Sequence, residues 1–434
     1  MAEGAACASR FPVGSRLDAQ GGQRAAFGRY TVGVNAAVAT PPPPRNRLER
    51  FRAIRARLDP SGDPGALLDA YVEPYQAVSR RVAAELELAP ASAHLIVGGI
   101  GSGKTTELLM TERRLLELDD VMTVYVDVSK RHDIAKMVPG VLLAQVTLAI
   151  ADGVAAIDPA NPHVRDARDV AHGKWRGLDE FDIHGDDSHL MKFVPGVLQP
   201  PHPLTEDVER AKAPLEGLLI LARQRARHLV VLLDGLDRML DLAMLENLVV
   251  QDVKVLSALG IGVVLVGPLR ALYGLDRLLV QRFDSFHPVP WIDVTGNPAG
   301  RAFLVEVLTR RAGDALDPPG IEALVDASGG VLRDLLALAQ SALVEVYMSG
   351  HDRIGSHDVD DAVDAFGRKH LQGLRPVEIE VLQRVRTQGT FVETSEDDLA
   401  LLMTRRVLAY GSGDRSRYAV HPTISHLLMQ LAGA

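Results

Sequence analysis

Residues Gly98-Gly99-Ile100-Gly101-Ser102-Gly103-Lys104-Thr105 satisfy the pattern G-x-x-x-x-G-K-[ST]. The apolar run His94-Leu95-Ile96-Val97 precedes them and a helical pattern follows. Each residue type has a physical task there. The glycines let the backbone wrap a phosphate and reach φ > 0. Successive N–H groups, through Ser102 and on to Thr106, then face the anion at a helix N-terminus. Lys104 is placed to bridge β- and γ-phosphates, and the Thr105 hydroxyl to coordinate Mg²⁺. With only 8 lysines against 39 arginines in the chain, an accidental Lys at this position is improbable.

A second constellation lies at Leu229-Val230-Val231-Leu232-Leu233-Asp234-Gly235-Leu236-Asp237. An apolar strand ending in Asp puts a carboxylate at the exit of a sheet, where Asp234 would hold Mg²⁺. A catalytic Glu commonly follows directly, but position 235 is Gly. Either Asp237 polarises water, or hydrolysis is slow and the nucleotide acts as a switch.

No G-x-S-x-G elbow supports a hydrolase triad. His184, His189 and His202, with Asp182, Asp186 and Asp187, match no standard ligand spacing and read as a solvated loop. The single cysteine, Cys7, excludes an internal disulfide and a Cys-based zinc site, which points to a reducing cytoplasmic setting.

The elements that must position these residues alternate. Strands are expected at His94–Val97, Val121–Val128, Leu229–Leu233, Ile261–Val266 and Val289–Val294. Helices are expected from the loop to Leu118 and over Ile134–Ile150, Glu206–Arg227 and Leu242–Leu259. This is an α/β pattern: a parallel sheet covered on both faces. Residues 157–205, rich in Pro, Gly, His and Asp, read as an insertion. Further helices are expected at Ala302–Arg311, Ile321–Ala327, Leu332–Met348 and Asp358–His370. Short helices at Leu374–Arg386 and Asp397–Arg405 precede a hairpin, 407–410 and 417–420.

The organisation follows. Residues 1–45 form a disordered Arg/Gly/Ala-rich tail ending in a polyproline spacer, Pro41–Pro44; such a stretch also has the acid-poor, Arg-rich character of a transit peptide. Residues 46–92 carry N-terminal helices, one basic around Leu48–Leu58 and one over Pro64–Glu87. Residues 93–296 form the nucleotide domain, 297–370 a helical lid and 371–434 a small terminal domain. A length of 434 residues accommodates about three domains. Net charge is −9, but residues 1–57 carry ten Arg against three acids, so the body is strongly acidic and a poor general binder of nucleic acid. No apolar stretch is long enough to span a bilayer.

The order of motifs resembles the AAA+/STAND superfamily of P-loop ATPases, Orc/Cdc6-like or STAND-like, over roughly residues 65–434. D-G-L-D at 234–237 resembles the Walker B segment of STAND proteins. The resemblance implies roles for three further residues. Arg270, after the fourth strand, resembles a γ-phosphate sensor; an exposed arginine at a helix start is the plain alternative. Arg333, in Gly329-Gly330-Val331-Leu332-Arg333, resembles a sensor on the lid. His421, in Tyr418-Ala419-Val420-His421-Pro422, resembles a winged-helix histidine that touches the ADP β-phosphate; a surface histidine at a turn is the alternative. Arg277 and Arg282 stand where such proteins place an intersubunit finger, or form an arginine-rich helix face.

The family implies ATP or ADP with Mg²⁺ as ligands, a winged helix at 371–434 and self-association. Two functions follow. One is a slowly hydrolysing nucleotide switch that controls oligomerisation or recruitment of a protein partner. The other is a DNA-associated ATPase, initiator-like or a transposition helper. An interaction protein with a decayed site is disfavoured by intact Lys104, Thr105 and Asp234.

Overall fold

The computed structural model describes residues 46–60, 62, 70–130, 132–156, 158–176, 204–239, 241–273, 279–392, 395–411 and 416–432. The expected tail, the polyproline spacer, Arg277 and the histidine-rich stretch 182–202 lie outside them.

Five strands form one parallel sheet: β1 (Ala93–Gly98), β2 (Val121–Asp127), β3 (His228–Asp234), β4 (Ile261–Pro268) and β5 (Ser285–Val289), in the order β2-β3-β4-β1-β5. β1 and β4 are buried at every position, which explains their largely apolar sequences, with His94 the polar exception in β1. β2 and β3 pair so that Asp127 stands beside Asp234 at the carboxyl end.

The fifth strand lies upstream of its expected place. Pro288 is tolerated because β5 is an edge strand, and Pro290 ends it. Ile292 and Val294 leave the sheet and join the apolar core of the lid.

In chain order the first helix, α1 (Arg47–Arg57), is capped by Asn46, whose side chain accepts from the Glu49 N–H. Its Phe51, Ile54 and Leu58 sit in the lid core. Arg47 donates to the carbonyls of Val346, Tyr347 and His351, and Arg57 to those of Arg310 and Arg311. The second helix, α2, covers only Val78–Leu88; residues 71–77 run without helix around Pro74. It packs on the sheet through Val82 and Leu86. Segment 46–92 therefore serves two different cores.

Helix α3 (Lys104–Leu115) follows the glycine loop. Helix α4 (Val141–Ala155) starts later than expected because Pro139-Gly140 breaks the pattern. Buried Asp252 caps α4, accepting from the N–H groups of Gly140, Leu142 and Leu143 at 2.6, 2.9 and 3.2 Å. Within the stretch 157–205, where no regular element is expected, the structure shows one. Pro162–Arg176 is a helix, α5, packed between α4 and α6 (Leu204–Arg223), with Val164 and Ala167 in the core. Arg165, Asp166, Arg168 and Asp169 are exposed around the narrow apolar stripe of Val164 and Ala167. Helices α7 (Leu242–Leu248) and α8 (Lys254–Ala258) are joined by a π-helical turn, Val249–Val253, which presents Asp252 to α4.

The lid comprises α9 (Pro298–Ala312), α10 (Pro318–Ser328), α11 (Leu332–Ser349) and α12 (Ser356–Leu371). Asn297 and Asp317 cap α9 and α10, each with a proline at the first turn. The terminal block holds α13 (Pro376–Gln388), α14 (Glu396–Met403), the antiparallel hairpin β6 (Val407–Tyr410) and β7 (Arg417–Val420), and α15 (Pro422–Ala432). Among the described residues, no helix is long and apolar enough to cross a membrane.

Candidate nucleotide site

β1 delivers the chain into the glycine loop, and α3 begins at Lys104. Gly101 has φ +82°, and a Cβ there would come within 2.6 Å of Arg333 Cβ. The loop is thus closed over by the lid: the Arg333 N–H donates to the Gly101 carbonyl at 3.4 Å. Trp291 packs against the loop from another side, with Gly99 leaving room for its ring. Trp291 shares a small core with Val331 of the lid and Leu408 and Tyr410 of the hairpin.

Lys104 is 4% exposed and all three of its N–H donors are used. They go to the carbonyls of Gly98 and Gly99, each at 2.9 Å, and to Asp237 Oδ2 at 3.0 Å. Asp237 comes from the short turn Leu236–Arg238 directly after β3. An arriving phosphate must replace at least one of these acceptors.

Asp234 is buried at the end of β3. Burial raises its carboxyl above the usual range, while hydrogen bonds from Tyr125, the Gly235 N–H and Thr105 oppose that rise. Tyr125 donates to Asp234 Oδ2 at 2.9 Å and the Gly235 N–H to Oδ1 at 2.8 Å. The geometry also explains why position 235 is glycine. Its φ is +88°, and a Cβ would lie 2.9 Å from the Ser129 backbone N and 3.0 Å from Asp127 Oδ1. A glutamate does not fit this turn.

These residues line one cavity of about 500 Å³, a volume suited to a cofactor-sized ligand. One part of its wall is polar: Ser102, Lys104, Thr105, Thr106, Asp127, Asp234, Asp237, Arg238 and Arg333. The rest is largely apolar or aromatic, from Tyr71, Tyr75, Val289, Ile292, Phe303 and Leu336. Burial, then the charges of Arg405 and Arg238, hold Arg333 below its ordinary pKa. Glu107, buried on α3, accepts from the Ser79 N–H at 2.7 Å, and burial raises its pKa.

The residues present fit a nucleotide with a divalent ion. Ser102 Oγ is buried in the loop with no hydrogen-bond partner among the described residues, an orphan that a ligand donor or acceptor would satisfy. The Thr105 hydroxyl and Asp234 already lie within hydrogen-bonding reach, with Asp127 beside them. This is an all-oxygen donor set of the kind that Mg²⁺ takes.

Three expected residues stand elsewhere. Arg270 lies on the turn Leu269–Leu272 and is not among the cavity's lining residues. His421 is wholly buried beneath the lid: its Nδ1 contacts the Thr423 hydroxyl at 2.8 Å, and its Nε2 lies 3.5 Å from Asp334. Arg282 pairs with Glu246 at 3.1 Å.

Sequence reasoning missed Tyr125, Asp127, Arg238 and Trp291. Only Asp127 left a signal. It ends an apolar strand as Asp234 does.

No protein-family model matches the sequence, and no curated protein matches it. Solved structures do resemble it. Drosophila ORC bound to DNA is 14% identical, with 88% of this chain and 92% of that chain covered at a TM-score of 0.42. The Aeropyrum pernix ORC2 protein in ADPNP–ADP complexes is 14% identical, with 84% and 97% covered at 0.43. The Thermotoga maritima RuvB Holliday junction branch migration motor is 13% identical, with 82% and 98% covered at 0.40.

Proposed function

We propose that this protein binds ATP with Mg²⁺ in the cavity between sheet and lid, hydrolyses it slowly, and acts as a nucleotide-dependent switch controlling self-association or recruitment of a protein partner. The observation that carries the reading is the convergence of the glycine loop, three sheet-end carboxylates and lid Arg333 on one cavity.

Backbone N–H groups of the loop and Lys104 bind the phosphates. Thr105 and Asp234 hold Mg²⁺, which would neutralise charge on the phosphate oxygens. The apolar wall takes the base and excludes water. Arg333 supplies positive charge from the lid, so its position depends on lid closure.

Asp237 is the carboxylate placed to accept a proton from water, but it is paired with Lys104. A base held in an ion pair is a weak one. With glycine at 235, the site is built for occupancy and slow turnover. A ligand shifts lid position only as far as it binds the two arrangements differently. Arg333, which lid helix α11 carries against the glycine loop, provides such a difference.

Several arginines of the terminal block are engaged within the fold. Arg405 pairs with Asp334, Arg417 with Asp293 and Arg375 with Glu378, while Arg406 donates to the carbonyls of His370 and Gln372. Arg405 is 17% exposed, but Arg375 and Arg417 stay 53% and 42% exposed and Arg384 is exposed on α13, so the pairing reduces the basic surface open to a phosphate backbone without removing it.

The test is to release and identify any bound nucleotide, then measure ATP and ADP binding and turnover with and without duplex DNA at two salt concentrations. Binding that Lys104→Ala abolishes, with slow DNA-independent turnover and an ATP-dependent change in mass, is expected. Salt-sensitive stimulation by DNA would replace the switch with the DNA-associated reading. Wild-type protein that binds no nucleotide, like Lys104→Ala, would overturn both.

A further inference from the structure

Away from the nucleotide cavity, α2, β1 and β5 bring three ligand-type atoms together. They are Glu85 Oε2, His94 Nδ1 and His287 Nε2. His94 Nδ1 lies 3.1 Å from His287 Nε2, and Glu85 Oε2 lies 3.5 Å from each ring nitrogen. Both rings are nearly fully buried, 1% and 4% exposed. In tetrahedral coordination with bonds of about 2.0–2.2 Å, ligand atoms stand about 3.3–3.6 Å apart. The three atoms therefore form one face of such a tetrahedron, slightly compressed along the His–His edge.

The surrounding hydrogen bonds aim these atoms inward. The Ser92 hydroxyl donates to the Ala89 carbonyl at 2.6 Å, so its proton is committed. It must then accept from His94 Nε2–H, 2.7 Å away. That fixes the tautomer and leaves the lone pair of Nδ1 facing Glu85 and His287. Glu85 Oε1 accepts from Arg81 Nε at 2.8 Å. Its Oε2 is buried with no hydrogen-bond partner among the described residues. A direct hydrogen bond between the two rings accounts for their approach but leaves that oxygen unsatisfied. A cation satisfies all three atoms.

We propose that Glu85, His94 and His287 bind a zinc-class divalent cation. Two neutral imidazoles and one carboxylate suit Zn²⁺ among the abundant ions, whereas Mg²⁺ and Ca²⁺ favour all-oxygen sets. Glu85 and His287 also line an open groove with Asp284 and Ser285, so a fourth position is accessible to water or an exchangeable ligand. The ion braces α2 against β1 and β5. His94 precedes the glycine loop on the same strand, so the site stiffens the support of the loop.

The experiment uses the full chain, stripped with EDTA and returned to excess Mg²⁺. Zn²⁺ binding is measured by calorimetry, and Co²⁺ binding by the visible absorbance of a tetrahedral site. One equivalent is expected, with a rise in unfolding temperature. Glu85→Gln, which keeps side-chain shape, and His287→Gln each weaken binding at least ~10-fold. Lys104→Ala retains it, which separates this site from the nucleotide cavity. Circular dichroism checks each variant's fold, and Glu85→Gln alone decides if His287→Gln misfolds. No bound equivalent in the wild type, or unchanged affinity in Glu85→Gln, overturns the assignment and leaves a hydrogen-bonded histidine pair.

Discussion

Replacing Asp334 with Ala tests how the terminal block is held to the lid. Asp334 sits beside Arg333 on α11, and its side chain is 2% exposed. It accepts from Arg405 Nε at 2.8 Å and Nη2 at 3.0 Å, a bidentate pair. His421 Nε2 approaches at 3.5 Å, too long for a strong hydrogen bond but close enough to act electrostatically. Arg405, just past the C-cap Thr404 of α14, has φ 62°, the only non-glycine positive φ among the described residues. Such a conformation costs about 1–3 kcal/mol, so the ion pair must be offsetting it. Losing one partner of a buried pair costs ~3–5 kcal/mol. Because Arg405 is 17% exposed, water recovers part of its solvation, and the lower end applies. Urea unfolding of Asp334→Ala should show a loss of about 3 kcal/mol. A double-mutant cycle with Arg405→Ala should give a coupling of about 2 kcal/mol, the worth of two charge-assisted hydrogen bonds after solvation. A coupling below ~0.5 kcal/mol would mean that the two sites are independent and would refute the reasoning. The pH dependence has a definite sign. Burial alone would raise the Asp334 carboxyl, but the His421 ring and Arg405 outweigh it and hold the group below its ordinary value. Its contribution is complete above about pH 4, the unfolded value, and is lost as pH falls through the lower folded value.

Three further outcomes are expected. Asp237→Asn removes the carboxylate that competes for Lys104, so ATP should bind ~10-fold more tightly, about 1.4 kcal/mol, while turnover falls; unchanged affinity by calorimetry would show that the pair does not oppose binding. Gly235→Glu introduces the usual catalytic residue into a left-handed turn against Ser129, so it should cost about 1–3 kcal/mol in urea unfolding without raising ATP turnover; a faster, equally stable variant would contradict this. Burial first, and then the neighbouring His421, push His370 down to about 4. It resists protonation in the folded chain but not in the unfolded one, so its contribution is complete above about pH 6.5 and declines toward the folded value, by at most ~1.4 kcal/mol per pH unit. His370→Gln should flatten a urea-midpoint series over that window.

The sequence alone was enough for the glycine loop between strand and helix, the strand bearing Asp234, the parallel α/β alternation and the lid helices. These rest on local chemistry. Glycine spacing, a lysine at a helix start and unbroken apolar runs have the same meaning wherever they occur. Position 235 also stood out as glycine, but its reason needed the structure: the turn brings it against Ser129 and Asp127, which are distant in sequence. The place of β5 depended on which apolar residues the sheet and the lid each claimed, a competition that Ile292 and Val294 resolve in favour of the lid. Helix α5 was hidden because a narrow apolar stripe between α4 and α6 leaves most of its residues polar. Only tertiary structure enclosed His421 beside Asp334, set Trp291 against Gly99, carried α1 across to the lid, and joined Glu85, His94 and His287. Each of these depends on side chains far apart along the chain. Their meeting is set by packing, which no local pattern encodes.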